Sequence, residues 1–500
     1  MTADNDPYSR FLELVRDAAA TAGIAAEGAA ELSRIAAEPP DDPSRGDVVT
    51  NAALVLAKQA GETPHALGER LARVLAAHPD VEAGEVAGPG FINCRLAAHV
   101  WQSHLKDLIG LGEAYGRSDR GTGRRVSLEA ALAGAAGPMS VERYRPAVVG
   151  DALANLMEFA GYRVTRELSA ADRDARGDLA LLGIRPDAWS FESGQGEGPD
   201  DRIAATIERL ASLGLTCRDD RQRVCFRPPN CGDDVDNVLV APDGDPTGLA
   251  VDIARHHDRI LRGFELLIDV VETGRTEHAS ALRMCVEAMT GGHAELEIRP
   301  CLPAESGGGR PARGEKRAGD TATLAGAVEE IGADAVRFAM LSRGYDAPLD
   351  FDIRAAADQS RANPGFFVPY VHARCRAIFR RAADELELPD LAADRLAEAD
   401  LSLLADAGEL ALVKRLAVYP RLVAFAAEVR EPHRLATYLH ALAGEFHDHW
   451  NRGKESPSLR FIHPDGTELS MARLALVHAV RLVIASGLAI LGVTAPDEMR

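Results

Sequence analysis

The chain has 500 residues, enough for two to four domains with full apolar cores. Its formal charge of -20 opposes non-specific attachment to nucleic acid or anionic membrane, although a local basic surface remains compatible with RNA. Seven cysteines, an odd number with no CxxC pair, predict reduced and mostly buried thiols in a cytoplasmic protein. Cys225 and Cys231 have no histidine at finger spacing, so no metal site is expected.

Residues 1–17 lack a basic n-region and an apolar h-region, so no signal peptide is expected. Residues 11–23 read as a helix, followed by a Pro/Asp-rich break. Helical patterns recur over 49–61 and 64–78, and 84–97 reads as a strand with a turn. These predict a small α/β unit over residues 1–112. Residues 116–125 read as a polar, glycine-rich linker. A second unit, 126–358, opens with a strand (RVSLEAAL), a helix (145–161) and a strand (YRVTREL), the βαβ pattern of a parallel sheet. NVLVAP and FELLIDVV are further strand candidates. A helix follows over 323–341 with Thr323 as N-cap, and helical periodicity dominates 359–500. The apolar stretch 474–493 contains His478 and Arg481 and reads as a buried helix, so no membrane partner is expected.

A collinear set of strings carries a resemblance across nearly the whole chain. GDVVTNAALVLAK and VAGPGFIN lie in the first unit; VVGDALANLMEFAGYRVTRE, GDDVDNVLVAPDGDPT and VDIARHHDR in the second. EKRAGDTATL, GADAVRFAMLSRGYDAPLDFD, NPGFFVPYVHARCR, EPHRLATYLHALAGEFHDHWN and LGVTAPDEM complete it. Together they resemble the arginyl-tRNA synthetase family of class I synthetases. The resemblance implies an α/β multidomain fold: an N-terminal α/β domain that contacts the outer corner of tRNA, a class I Rossmann-type parallel-sheet domain, and a C-terminal α-helical bundle of the anticodon-binding type.

The activating residues depart from the family pattern. Ser140 and Arg143 stand where the family has two phosphate-contacting histidines, and Glu142 stands at the glycine beside adenine. A local alternative is that Ser140 caps a helix and Glu142 and Arg143 form an exposed first-turn pair. Gly134 stands near a family asparagine. Gly248 replaces a tyrosine that grips the substrate guanidinium, while the aspartate of that grip matches Asp252. Asp252 is open to a second reading, pairing with Arg255 on its own helix. ETGRTE, residues 272–277, keeps none of the family's substrate-closing side chains. Of the second signature loop, Lys316 and Arg317 keep their positions; a solvated basic loop is the alternative.

The tRNA-contacting positions fare better. Asn51 and Asn93 match the corner-binding module, with a helix cap as the alternative for Asn51. Tyr370 and Arg374 are expected to meet RNA, by base stacking and phosphate contact, while Phe366 and Phe367 are expected in the core. Residues 232–237 read as a turn, and His256-His257-Asp258 lacks a third metal ligand. The expectation is a synthetase-like pseudoenzyme that binds arginine-type tRNA without activating arginine. The alternatives are an active arginine–tRNA ligase using ATP and magnesium, or a protein-interaction scaffold. No tightly bound cofactor and no DNA partner are expected.

Overall fold

A computed structural model describes residues 6–24, 32–132, 140–170, 174–189, 199–227, 237–273, 278–302, 304–306, 323–386, 391–463 and 466–499. Helix Pro7–Thr21 starts where the Asp6 carboxylate accepts from the amides of Tyr8 and Ser9. Strands β1 (Ala37–Glu38), β2 (Val48–Thr50), β3 (Val81–Ala87) and β4 (Phe91–Leu96) form an antiparallel sheet in the order β1-β2-β4-β3. The alternation in β4 buries Ile92, Cys94 and Leu96 and turns Phe91 and Arg95 out. Helices Ala52–Ala60 and Pro64–Ala76 match the periodic segments, while β1 and β2 are too short to show a period in sequence.

Residues 116–125 are more tightly held than a linker. The Gly121 amide donates to the Ala160 carbonyl at 3.0 Å, and a Cβ at Gly121 would meet the Tyr162 ring. Gly121 therefore permits close packing here.

Strands β5 (Arg125–Leu132), β6 (Arg163–Ala170) and β7 (Ala188–Trp189) run parallel, with helix Arg145–Phe159 crossing from β5 to β6. β8 (Thr216–Arg218), β9 (Val224–Phe226) and β10 (Val238–Val240) form a separate antiparallel sheet. NVLVAP is thus a strand, but it lies outside the parallel sheet. β11 (Leu266–Glu272) and β12 (Glu295–Cys301) extend that sheet beyond β5, giving the order β12-β11-β5-β6-β7. β13 (Ala304–Ser306) pairs in parallel with β14 (Leu349–Phe351). The predicted 323–341 helix is split at Gly332, whose φ of 84° suits glycine, into Leu324–Ile331 and Ala333–Met340. Thr323 does cap the first piece, accepting from the Gly326 amide at 3.2 Å.

The remainder is helical, from Pro364–Glu385 to Thr467–Leu491. The last helix is apolar and long enough to cross a membrane, but 78% of its most apolar window is buried inside the protein. Its carboxyl end is locked to the sheet domain. Arg337, almost fully buried, donates to the Leu491 and Leu182 carbonyls and pairs with Asp151 at 2.5 Å. Gly492 makes this lock possible, since a Cβ there would fall on the Arg337 guanidinium. The Asn155 side chain donates to the neighbouring Ile490 carbonyl.

The N-terminal unit also docks on the helices. Lys414 meets Asp47 at 2.7 Å, and Arg421 clasps Asp6. Buried His104 meets the Tyr115 hydroxyl at 2.9 Å, and that hydroxyl donates to the Leu416 carbonyl. Burial lowers the His104 pKa to about 4. The unfolded chain takes up this proton near pH 6.5, so stability is full above that pH and declines as pH falls toward 4. Wild type is therefore expected to lose about 1.5 kcal/mol more than His104→Gln between pH 6.5 and 5. Urea denaturation at both pH values checks this; equal losses would remove His104 as the cause.

Candidate functional site

The order of the parallel sheet reverses at β5: β6 lies on one side and β11 on the other. Ligands of such sheets bind in the crevice at the carboxyl ends of the strands flanking this switch point. Ser140 lies at that edge and forms an isolated bridge with Thr323. Two segments 183 residues apart in the chain are thereby joined, the start of the turn before helix Arg145–Phe159 and the N-cap of helix Leu324–Ile331. Lys316, Arg317, Gly134 and residues 274–277 lie outside the described residues.

Ser140 precedes a short 3-10 turn, Val141–Tyr144, but its side chain makes no capping bond. Glu142 is buried and Arg143 is exposed, so the two do not form an exposed pair. The turn is tight enough to bury Val141 and Tyr144, and Glu142 goes inward with them. Arg145, which the sequence did not single out, is fully buried. It donates to the carbonyls of Leu302, Met340, Arg343, Gly344 and Ala347, tying the turn to the end of β12 and to the segment between helix Ala333–Met340 and β14.

Below the crevice, three carboxylates lie side by side across three strands. The register sets Asp269 of β11 opposite Glu129 of β5, and Glu129 opposite Glu167 of β6. All three are buried. Helix Gly248–Leu261 and its end cross this row with Arg255, Arg259 and Arg262, whose 4 and 3 spacing places them on one helix face. Arg259 lies 2.5 Å from Asp269 and 3.3 Å from Glu129, and donates to the Ser127 hydroxyl at 2.8 Å. Arg262 grips both oxygens of Glu167. His256 adds a 2.8 Å contact to Asp269. Burial acts to raise the Asp269 pKa, but the Arg259 and His256 charges and hydrogen bonds hold it well below the usual carboxylate range. An acid in each of three strands, together with arginines at helical spacing in 255–262, was the available sequence signal.

Asp252 sits at the open end of this network. Its Oδ1 accepts from Arg255 at 2.7 Å, and its Oδ2 lies 3.2 Å from His278 Nδ1. Arg255 also lies 3.5 Å from Glu129. The local pairing expected as the alternative for Asp252 is therefore present: the chain's own guanidinium occupies this carboxylate.

The other concave site lies in the helical domain. A groove of about 830 Å³ runs beside helix Pro364–Glu385. Tyr370 and Arg374 both line it, and the Arg374 guanidinium lies 4.7 Å from the Tyr370 ring and 5.0 Å from that of Trp450. Lys454 and Arg460 add charge, and Phe461 stacks on Trp450. Phe367 is buried as expected, while half-buried Phe366 stacks on Tyr370 at 5.7 Å. Sequence reasoning missed Trp450 and Lys454, although their spacing of four puts them on one helix face.

Asn51 stands at the N-cap position of Ala52–Ala60 without capping it. Its side chain instead accepts from the Ala36 amide at 2.8 Å and donates to the Arg34 carbonyl at 3.1 Å. Asn93 is half-buried on β4, opposite Val49 and Glu85. Among the described residues no group of three His, Cys, Asp or Glu side chains could hold a metal ion.

Two family models match this chain. The arginyl tRNA synthetase N terminal domain covers residues 10–96, and the DALR anticodon binding domain covers 368–499. The arginine–tRNA ligase of Azorhizobium caulinodans is 41% identical, with 99% of this chain and 100% of the relative covered. The chain belongs to the arginyl-tRNA synthetase family. A second relative from the family, the arginine–tRNA ligase of Xanthobacter autotrophicus, is 40% identical over 99% of this chain and 100% of its own. The first alignment spans 584 positions against 500 residues, so at least 84 positions carry no residue of this chain. Among solved structures, the Thermus thermophilus arginyl-tRNA synthetase aligns with a TM-score of 0.72 at 19% identity, covering 98% of this chain and 100% of its own. The Plasmodium falciparum enzyme gives 0.74 at 13%, covering 98% and 99%. At these identities the structures show the shared fold.

Proposed function

We propose that the chain is an arginine–tRNA ligase of the cytoplasm with a divergent activation site, joining arginine to its tRNA at the expense of ATP. The observation that carries this is the full-length likeness to curated ligases, which spans the sheet domain as well as the two domains flanking it. It supports the ligase over the pseudoenzyme expectation. In this reading Ser140, bridged to Thr323, borders the crevice, and Lys316 and Arg317 are the cations that would neutralise the phosphates of ATP. Tyr370, Arg374 and Trp450 would receive the single-stranded part of the tRNA. Asn93 would contribute to the corner-binding face, and Asn51 would support that face by holding residues 34–36.

A second reading keeps tRNA binding and omits activation. It is favoured by the self-pairing of Asp252 with Arg255 and by the burial of Glu142 in the first signature. Arginine-dependent ATP–pyrophosphate exchange, run with and without tRNA, separates the two. Exchange above background, abolished by Lys316→Ala, is the expected result. Absence of exchange in a preparation that still binds tRNA would overturn the ligase and leave the binding role.

A further inference from the structure

The basic groove is bordered by the chain's own acidic end. After Gly492 the chain leaves the Arg337 lock and runs back along helix Pro364–Glu385. Buried His372 holds it there, with Nδ1 2.8 Å from the Pro496 carbonyl. Asp497 then pairs with Arg376 at 2.9 Å, and Arg380 lies 3.3 Å from the Asp497 carbonyl and 3.6 Å from the Glu498 carboxylate. Glu498 and Met499 end as part of the groove wall. Arg376 and Arg380 are four apart and share a helix flank, so one short acidic segment reaches both. Arg374, which lines the groove with Arg380 while Arg376 stands on its flank, has no carboxylate partner among the described residues and lies over aromatic rings instead.

A carboxylate and an RNA phosphate make the same demand on a guanidinium, a pair of anionic oxygens in its plane. All four side chains of these pairs are 40% exposed or more, so the pairs are weak and exchangeable. We propose that the tail is a built-in competitor for RNA at this groove: Asp497 and Glu498 hold Arg376 and Arg380 in the free protein, and the phosphates of a bound tRNA displace them. The tail thereby sets the affinity of the groove and discriminates against weakly bound polyanions. This rests on the reading of the groove as a tRNA site.

The test is filter binding of arginine-type tRNA to the full-length chain and to Asp497→Asn/Glu498→Gln, over roughly 50 to 200 mM salt. The tail variant is expected to bind about 5–20-fold more tightly at each salt concentration, with a similar salt slope, because the same phosphates are neutralised in both complexes. Arg376→Gln/Arg380→Gln is expected to cost less in the native chain than in the tail variant, where it should cancel the gain. Unchanged or weaker binding by the tail variant, with an unaltered melting temperature, would overturn the competitor and make the tail a scaffold. Absence of tRNA binding by both proteins at micromolar concentration would instead overturn the groove reading, and the competitor with it.

Discussion

Arg259→Met is expected to destabilise the protein by about 3–5 kcal/mol, because it leaves Glu129 and Asp269 buried with their main counter-charge removed. The size of the effect comes from desolvation. A buried carboxylate without a partner must carry its charge in a poor dielectric or take up a proton. In the native protein Asp269 titrates well below the ordinary carboxylate range. Its contribution is therefore present above the unfolded carboxylate value, near pH 4, and is lost only as pH falls through the depressed folded value. Without Arg259 the burial contribution, which raises the pKa, is less opposed, so acid unfolding should begin at a higher pH. Urea denaturation at pH 7 gives the first number, and an acid titration followed by circular dichroism gives the second. A loss below about 1 kcal/mol would mean that the remaining partners, Arg255 and His256, suffice. Replacing Arg259, Glu129 and Asp269 together by apolar residues of similar volume should recover most of the loss, since the charges would then leave as a set.

Trp450→Ala and Tyr370→Ala are each expected to weaken tRNA binding by roughly 5–100-fold, corresponding to about 1–3 kcal/mol for a stacked base. Both rings lie within 5.0 Å of the Arg374 guanidinium and border the same groove. Arg374→Gln should act differently: it should reduce the salt dependence of binding as well as the affinity, because it removes a cation rather than only a surface. Trp450→Phe separates stacking from packing, since it keeps an aromatic face over Arg374. If Trp450→Ala and Tyr370→Ala bind tRNA as wild type does, the RNA lies elsewhere on the helical domain. The contact between Trp450 and Phe461 makes a melting curve for each variant a necessary companion measurement.

Much of the fold is set by local patterns that any window of the sequence contains. RVSLEAAL and YRVTREL flank a helical segment, and right-handed crossover geometry brings such strands into one parallel sheet. Apolar periodicity likewise announced helices Ala52–Ala60, Pro64–Ala76 and Thr467–Leu491. The collinear strings placed the chain in its family, because their order survives where single motifs have changed. NVLVAP shows the limit of this reasoning: strand propensity is local, but which sheet a strand joins depends on partners distant in the chain.

The sequence by itself determined the βαβ core, the helical carboxyl end and the family. It also fixes which side chains stand at the positions that the resemblance singles out, since those are matters of residue identity. Only the tertiary structure decided what these side chains meet. Asp252 could be expected to bind either a ligand or Arg255, three positions on along its own helix, and the packing of that helix against helix Ala279–Thr290 adds His278. Asn51 was expected to be a cap or an RNA contact, yet its amide is used by residues 34–36, about fifteen positions earlier. The row of Asp269, Glu129 and Glu167 exists only through the register of three strands. The physical reason is common to all of these. Helix and strand periods are written in neighbouring residues, whereas a charge acquires its partner, its burial and its role from elements that the chain brings together from far apart.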